Sequence, residues 1–343
     1  MPPTNKNDDQ NTVTIAGFES DERVFHYTNA QGLYGILESG CLWATHFQFL
    51  NDSKEFYSAK RSLTKSVESA LARHLAARKV NRQITITDGT SIRTLASEES
   101  QRFVDILYSA LFGSEEHSVV GSDAFVFSTF RCSPSNEAFA DGELLHWATY
   151  GRNGGYALQF APQKLDALLV NERKKFVGLP YIFEPTFYSK EGEVPAGLKD
   201  AYGEVCNSAT EMADYEVSQH RTVAPDYAVA GGAFMHIVSR TKDAFFKREA
   251  EARIVVFRSR VEQTGFRWHP FFIRHAAALP IPYIKLFEDQ LFGEHLPIER
   301  IIIGPHPERE RRQFVLREFL RQKKLLDKIQ IAVSEVPYVN VSP

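Results

Sequence analysis

The segment KREAEARIVVF, residues 247–257, constrains the fold of this chain more than any other. Polar and apolar residues alternate along it, and a period of two marks a strand, whose successive side chains point to opposite faces. The pattern predicts Lys247, Glu249, Glu251 and Arg253 on one face and Ala250, Ala252, Ile254 and Val256 on the other. Two carboxylates two residues apart on one face stand roughly 7 Å from each other. That spacing suits one to a ribose hydroxyl and the other to an incoming nucleophile. The plainer alternative is a solvated edge strand whose alternating charges guard against aggregation.

Around this segment the periodicity changes repeatedly. ERVFHY (22–27) and CLWATHF (41–47) read as short strands. Between them Thr28 or Asn29 caps a helix with a Leu33, Ile36 and Leu37 stripe, which Gly40 stops. Asp52 with Glu55 reads as a capping box for a long helix whose stripe is Phe56, Ala59, Leu63, Val67, Leu71 and Leu75. Residues 81–99 read as a polar loop or hairpin and 100–112 as another helix. AFVFSTF (124–130) is a strand, ELLHWATY a short helix ended by GRNGG, and YALQF a strand. One or two strands are expected within 176–188, helices near 198–220 and 226–246, and strands near 266–273, 280–286 and 299–303. A helix (307–323) and a strand (328–334) follow. The pattern predicts an α+β fold: residues 21–335 form a single domain with a helical insertion about 53–112, between a disordered tail (1–20) and a C-terminal tail (336–343).

Composition narrows the class. The chain has 343 residues, 43% hydrophobic and 24% charged, which is enough for a large core. Net charge is -3, so no global basic field argues for nucleic acid, although a local basic groove is compatible. Cys41, Cys132 and Cys206 form no C-x-x-C pair and read as reduced residues of a cytoplasmic protein. No apolar run is long enough to span a bilayer. The eleven histidines show no ligand spacing, so no metal is expected. Phosphate-binding, zinc-protease and nucleophile-elbow motifs are absent.

Several other residues are candidates for chemistry. His26 ends a strand just before a helix N-terminus, where free backbone N–H groups favour phosphates; otherwise it is a core histidine. Ser128 and Thr129 interrupt an apolar strand, so one of them faces the core or a site, or bonds local backbone. Trp147 and Tyr150, at i and i+3, share a helix face on which a flat ring such as nicotinamide or adenine could lie. The alternative is a core aromatic pair with Gly154 and Gly155 as turn residues. IIIGPHPE reads as a buried strand ending in a turn, with no chemistry.

Taken in order, His26-Tyr27-Thr28, Gly40-Cys41-Leu42-Trp43-Ala44-Thr45, Asn51-Asp52, Phe127-Ser128, Trp147, Tyr150, Gly155, Lys247, Glu249, Glu251, Arg253 and Gly304-Pro305 resemble a widespread bacterial family of domains of unknown function. That family is in turn similar to ADP-ribosyltransferases of the DarT type, here through Leu33-Tyr34-Gly35-Ile36-Leu37-Glu38-Ser39-Gly40, Ser128-Thr129 or Tyr150, and Glu249-Ala250-Glu251. The resemblance implies an ADP-ribosyltransferase-like split mixed β-sheet core with helical insertions, and NAD as substrate. It also implies a nucleic-acid or protein acceptor, and a toxin or antiphage role. Glu251 would hold the nicotinamide-ribose hydroxyl and Glu249 would orient the acceptor. His26, Tyr27, Thr28 and Ser128 would line the NAD site, and Trp147 or Tyr150 would stack on the ring. A non-catalytic module binding a nucleotide or a partner on the same cleft is the competing expectation.

Overall fold

The structure, a computed structural model, describes residues 17–51, 55–81, 91–113, 122–151, 154–176, 180–218, 227–259, 267–276, 279–288 and 295–337. Asp52, most of the expected tails and part of the expected 81–99 loop lie outside them. In chain order the elements begin with β1 (Arg23–Thr28), α1 (Ala30–Ser39), β2 (Leu42–His46), α2 (Lys60–Val80), α3 (Ile92–Phe112) and β3 (Ser122–Cys132). Next come α4 (Ala138–Asp141), α5 (Leu144–Tyr150), β4 (Tyr156–Phe160), α6 (Pro162–Lys175), β5 (Tyr181–Pro185), β6 (Phe187–Ser189) and α7 (Lys199–Ser218). The last are α8 (Tyr227–Arg240), β7 (Thr241–Asp243), β8 (Glu251–Ser259), β9 (Phe272–Ala276), β10 (Leu279–Leu286), β11 (Ile298–Ile303), α9 (Arg309–Gln322) and β12 (Gln330–Val333). The fold is mixed α and β with a mixed sheet, in keeping with the α+β expectation.

Where the sequence pattern suggests one domain, the chain forms two compact units: Met1–Gly40, Thr129–Asn171 and Asp289–Pro343, and Cys41–Ser128 and Glu172–Glu288. The chain crosses between them four times, at Gly40–Cys41, inside β3, inside α6 and at Glu288–Asp289. Packing also starts earlier than residue 21. Phe18 is buried beneath the Arg131 guanidinium at 5.5 Å, and Arg131 makes two 2.9 Å bonds to Glu22.

In the first unit β1 runs antiparallel between β4 and the C-terminal half of β3, with His26 opposite Leu158 and Phe25 opposite Phe130. β11 pairs antiparallel with β4 and parallel with β12, and α9 makes the crossover. Asn29 caps α1 by accepting from Gly32 N at 2.9 Å, and Gly40, at φ 64°, ends it. The core gathers Phe25, Tyr27, Phe130, Trp147, Ala157 and Ile302.

In the second unit β2 pairs with β3 and β10, β10 with β9, and β8 with β5 and β3. Tyr108 and Phe112 of α3 and Phe234 of α8 join Phe47, Phe56 and Phe257 of β8 in an aromatic-rich core that also takes residues from α2 and α7. α2 begins at Lys60, five residues after Glu55, so Glu55 does not cap it. Phe56 lies instead in a 3-10 turn, Glu55–Tyr57. Ser91 caps α3 at Thr94 N, 3.0 Å, so the helix opens inside the stretch expected as a loop. α8 stops at Arg240 rather than near 246, and α6 fell outside the expected elements although Pro162 at its first position is a start signal.

Trp147 explains three glycines of the first unit. A Cβ added at Gly142, Gly151 or Gly304 would come within 2.8 Å of its indole ring, and Gly142 also has φ 79°. The Gly304 N–H donates to Gly155 O at 2.9 Å, so the Gly-Pro turn after β11 is structural, as its sequence suggests. Gly203, exposed within α7, meets nothing within 4 Å. Gly304→Ala should therefore cost about 1–3 kcal/mol by overpacking, while Gly203→Ala should stabilise by about 0.5–1 kcal/mol. Urea unfolding midpoints of the two variants check both signs.

Candidate functional site

The residues expected to converge divide between the units: His26, Tyr27, Thr28, Trp147 and Tyr150 belong to the first, Ser128, Glu249 and Glu251 to the second.

In the first unit, Tyr27 and Trp147 are core residues. The Trp147 ring is 0% exposed, meets Tyr27 edge-on at 4.8 Å and donates its Nε1–H to Asp141 O at 2.9 Å. Its faces are taken up by Tyr27 and the three glycines, so the expected stacking on a ligand ring does not fit it. Tyr27 Oη accepts from Glu143 N at 2.9 Å, and burial pushes its phenol pKa up. The plainer reading, a core aromatic pair, holds for Trp147. Tyr150 remains half-buried, tilted against Phe130 at 5.1 Å. His26 and Thr28 are half-buried on β1, and a Cβ at Gly32 would meet Thr28 Oγ1.

In the second unit Ser128 is half-buried, and Thr129, where the chain enters the first unit, is fully buried. The Glu249–Glu251 segment differs from the alternation expected of it. Residues Ala244–Glu249 form a 3-10 turn, Ala250 turns left-handed at φ 47°, and β8 begins only at Glu251. Asp243 caps the turn, accepting from Phe245 N at 2.9 Å. Lys247 and Glu249 are therefore not strand residues, and the common polar face is confined to Glu251 and Arg253. Nor is the strand a solvated edge. β8 is flanked by β5 and β3 and buried from Glu251 through Phe257.

The two carboxylates nonetheless meet. Lys242 Nζ donates to Glu249 Oε2 at 2.5 Å and to Glu251 Oε2 at 2.9 Å, and forms an ion pair with Glu55 Oε1 at 2.9 Å. Arg253 Nη2 donates to Glu251 Oε2 at 2.6 Å and also bonds Glu55. Tyr188 Oη accepts from the Glu251 backbone N–H at 2.7 Å. All five ionic side chains are buried. Burial pushes the Glu251 carboxyl pKa up, but Arg253 and Lys242 outweigh it and hold it down at about 2. Burial lowers Lys242, and Glu251 leads the partners that leave its pKa raised overall.

Glu55 and Lys242 were missed. The sequence pattern makes Glu55 part of a cap and puts Lys242 within a helix. The Asp243 cap signal two residues before Phe245 could have ended that helix and freed Lys242. The turn also exposes Phe246, Lys247 and Arg248, and Phe245 is 94% exposed. Lys242 Nζ stands 4.9 Å over the Phe246 ring.

A second buried polar group lies in the same unit. His269 Nε2 bonds Tyr181 Oη at 2.7 Å and lies 3.6 Å from Glu172 Oε1, which accepts from Phe287 N at 3.1 Å. Burial raises the Glu172 carboxyl to about 7 and lowers His269 to about 3. An open cavity of about 520 Å³ lined by Lys65, Glu68, Ser69, Ala72, Ile92 and Arg93 contains none of the expected site residues. Among the described residues no group of His, Cys, Asp and Glu is placed to hold a metal, and no helix is long and apolar enough to cross a membrane. No family model, curated protein or solved structure matches the chain.

Two outcomes follow. Glu251, with its lowered pKa, contributes stability that is complete above the ordinary carboxylate value and is lost as pH falls through about 2. Lys242→Met removes a partner from three buried carboxylates. It should cost about 3–5 kcal/mol and move acid unfolding to higher pH, as read by circular dichroism along a pH titration. Glu172 has the opposite sign: its raised value gives a contribution that is complete below the ordinary carboxylate value and is lost as pH rises through about 7. His269, held well below the ordinary imidazole value by burial, acts the other way and adds stability as pH rises towards that value. The test is therefore a difference: the thermal midpoint of the wild type relative to that of Glu172→Gln should fall from pH 5 to pH 8.

Proposed function

We propose that the chain is an NAD-consuming ADP-ribosyltransferase-like enzyme, built on the split mixed sheet of that fold and acting on a nucleic-acid or protein acceptor. The observation that carries this reading is the convergence of Glu249 and Glu251 on the Lys242 ammonium, with Glu251 held ionised. Breaking the nicotinamide–ribose bond sends its electron pair to nicotinamide and leaves positive charge on the ribose. A fixed carboxylate stabilises that charge without reorganising. Lys242 and Arg253 both bond Glu251 Oε2, and the reading assigns Oε1 to the ribose hydroxyl. The acceptor nucleophile then bonds the ribose carbon, positioned by Glu249, and Phe245 gives its flat groups a surface to pack on. Ser128, in the same unit as the two glutamates, remains a proposed dinucleotide contact, with no metal, in a cytoplasmic toxin or antiphage role.

A second reading has its own observation. Lys242 and Arg253 already pair with all three carboxylates, which fits a non-catalytic module that binds a nucleotide or a partner and uses the cluster only to fix β8.

Incubation of the purified protein with NAD labelled on the adenylate should release nicotinamide and label a macromolecule. Glu251→Gln should lower nicotinamide release by about 10²–10³-fold. Because Glu251 is buried in an ion cluster, this variant also loses stability, so the assay runs below its unfolding midpoint, set by circular dichroism. Glu249→Gln and Phe245→Ala should lower transfer to the acceptor more than hydrolysis by water. Wild-type protein that neither binds nor consumes NAD would put the binding module in place of the enzyme.

A further inference from the structure

α9, in the first unit, has the sequence RERRQFVLREFLRQ, with five arginines against two glutamates in a chain whose net charge is -3. Leu316 and Leu320 face the core, and Phe319 meets Tyr34 edge-on at 4.9 Å. The opposite face carries Phe314, 66% exposed, and Val315, 52% exposed. Arg311, Arg317 and Arg321, all exposed, stand at i−3, i+3 and i+7 from Phe314, which puts the first two one turn away on its side of the helix and Arg321 a further turn along it. Arg309 begins the helix, and Lys323 and Lys324, also exposed, extend the positive charge beyond its end. Two exposed arginines are held by their own helical turn: Arg311 pairs with Glu308 at 2.8 Å and Arg321 with Glu318 at 2.7 Å.

We propose that this face binds single-stranded nucleic acid, its arginines on the phosphates and Phe314 under a base. Charge complementarity selects a polyanion. Guanidinium forks match phosphate oxygens in pairs, where an ammonium offers a point charge. An exposed aromatic between cations is the arrangement on which bases stack regardless of sequence. An anionic membrane is the weaker fit. A helix lying in a bilayer interface presents a broad apolar face to it, and here the leucines are turned to the core, leaving Phe314 and Val315 alone on the outer side. The proposal does not depend on NAD chemistry and is tested without it.

The test is fluorescence anisotropy of the full chain with a labelled, mixed-sequence 20-nucleotide DNA strand across a potassium chloride series. Wild type should bind, with affinity falling as salt rises. Arg317→Glu with Arg321→Glu should lower the slope of log affinity against log salt by about one per lost phosphate contact. Phe314→Ala should weaken binding by roughly ten- to hundred-fold. All three side chains are exposed, so matched thermal midpoints should certify the fold. Absence of wild-type binding at low salt, or binding that these variants leave unchanged, overturns the proposal. So does co-sedimentation with phosphatidylserine vesicles in place of strand binding.

Discussion

Lys242 holds three carboxylates, and the local path of the second unit follows from that ammonium. Glu55 comes from a 3-10 turn ahead of α2, Glu249 from the turn before β8, and Glu251 from the first residue of the strand. Three carboxylates against Lys242 and Arg253 leave one negative charge in a buried place, so losing either cation exposes the remainder to a large desolvation penalty. The left-handed Ala250 fits this account. A non-glycine residue in that conformation costs about 1–2 kcal/mol. Leaving a buried charge without its partner costs about 3–5 kcal/mol. The charges therefore outweigh the backbone, and the turn bends so that Glu249 reaches Lys242.

The first unit rests on steric fit instead. One indole ring fills the space between β1 and the loops on either side of α5, and glycine alone leaves room for it at Gly142, Gly151 and Gly304. His146 stacks on Phe130 at 3.9 Å, and Tyr27 closes the group. Of the two residues that suggest a platform for a nicotinamide or adenine ring, Trp147 makes the core and Tyr150 stays half-buried against it. Sequence spacing places Trp147 and Tyr150 on one helix side, but it does not say whether that side meets a ligand or a sheet.

Local periodicity made much of the fold legible. The α1 stripe and its Gly40 stop, β3, β4, the α9 helix and the leucine stripe of α2 all follow from residues a turn or a pleat apart. The interleaving of two units was not legible, because two of the four crossings lie inside β3 and α6, where a regular element continues from one unit into the other. At the site, Glu249 and Glu251 stood out because they are close in sequence. Glu55 lies nearly two hundred positions from its partner Arg253, and a pairing at that separation leaves no periodic trace. The alternation of KREAEAR pointed to the right carboxylates through the wrong geometry. A strand would have put four charges on one face, whereas a turn and Lys242 bring two of them together.

The ionisation of Glu251 also bears on what it can do under the proposed reaction. A general base works best with a pKa near the working pH, because a much stronger acid holds an abstracted proton poorly. A carboxyl held at about 2 is a poor proton acceptor at neutral pH. It is well suited to opposing a positive charge, since it stays anionic whatever approaches it, and the buried cations that lower its basicity also fix its position. The pairing therefore supports the division of roles expected of the two glutamates. In the proposed reaction Glu251 would serve as an electrostatic partner for the ribose, and the acceptor's proton would leave through another group, either Glu249 or water.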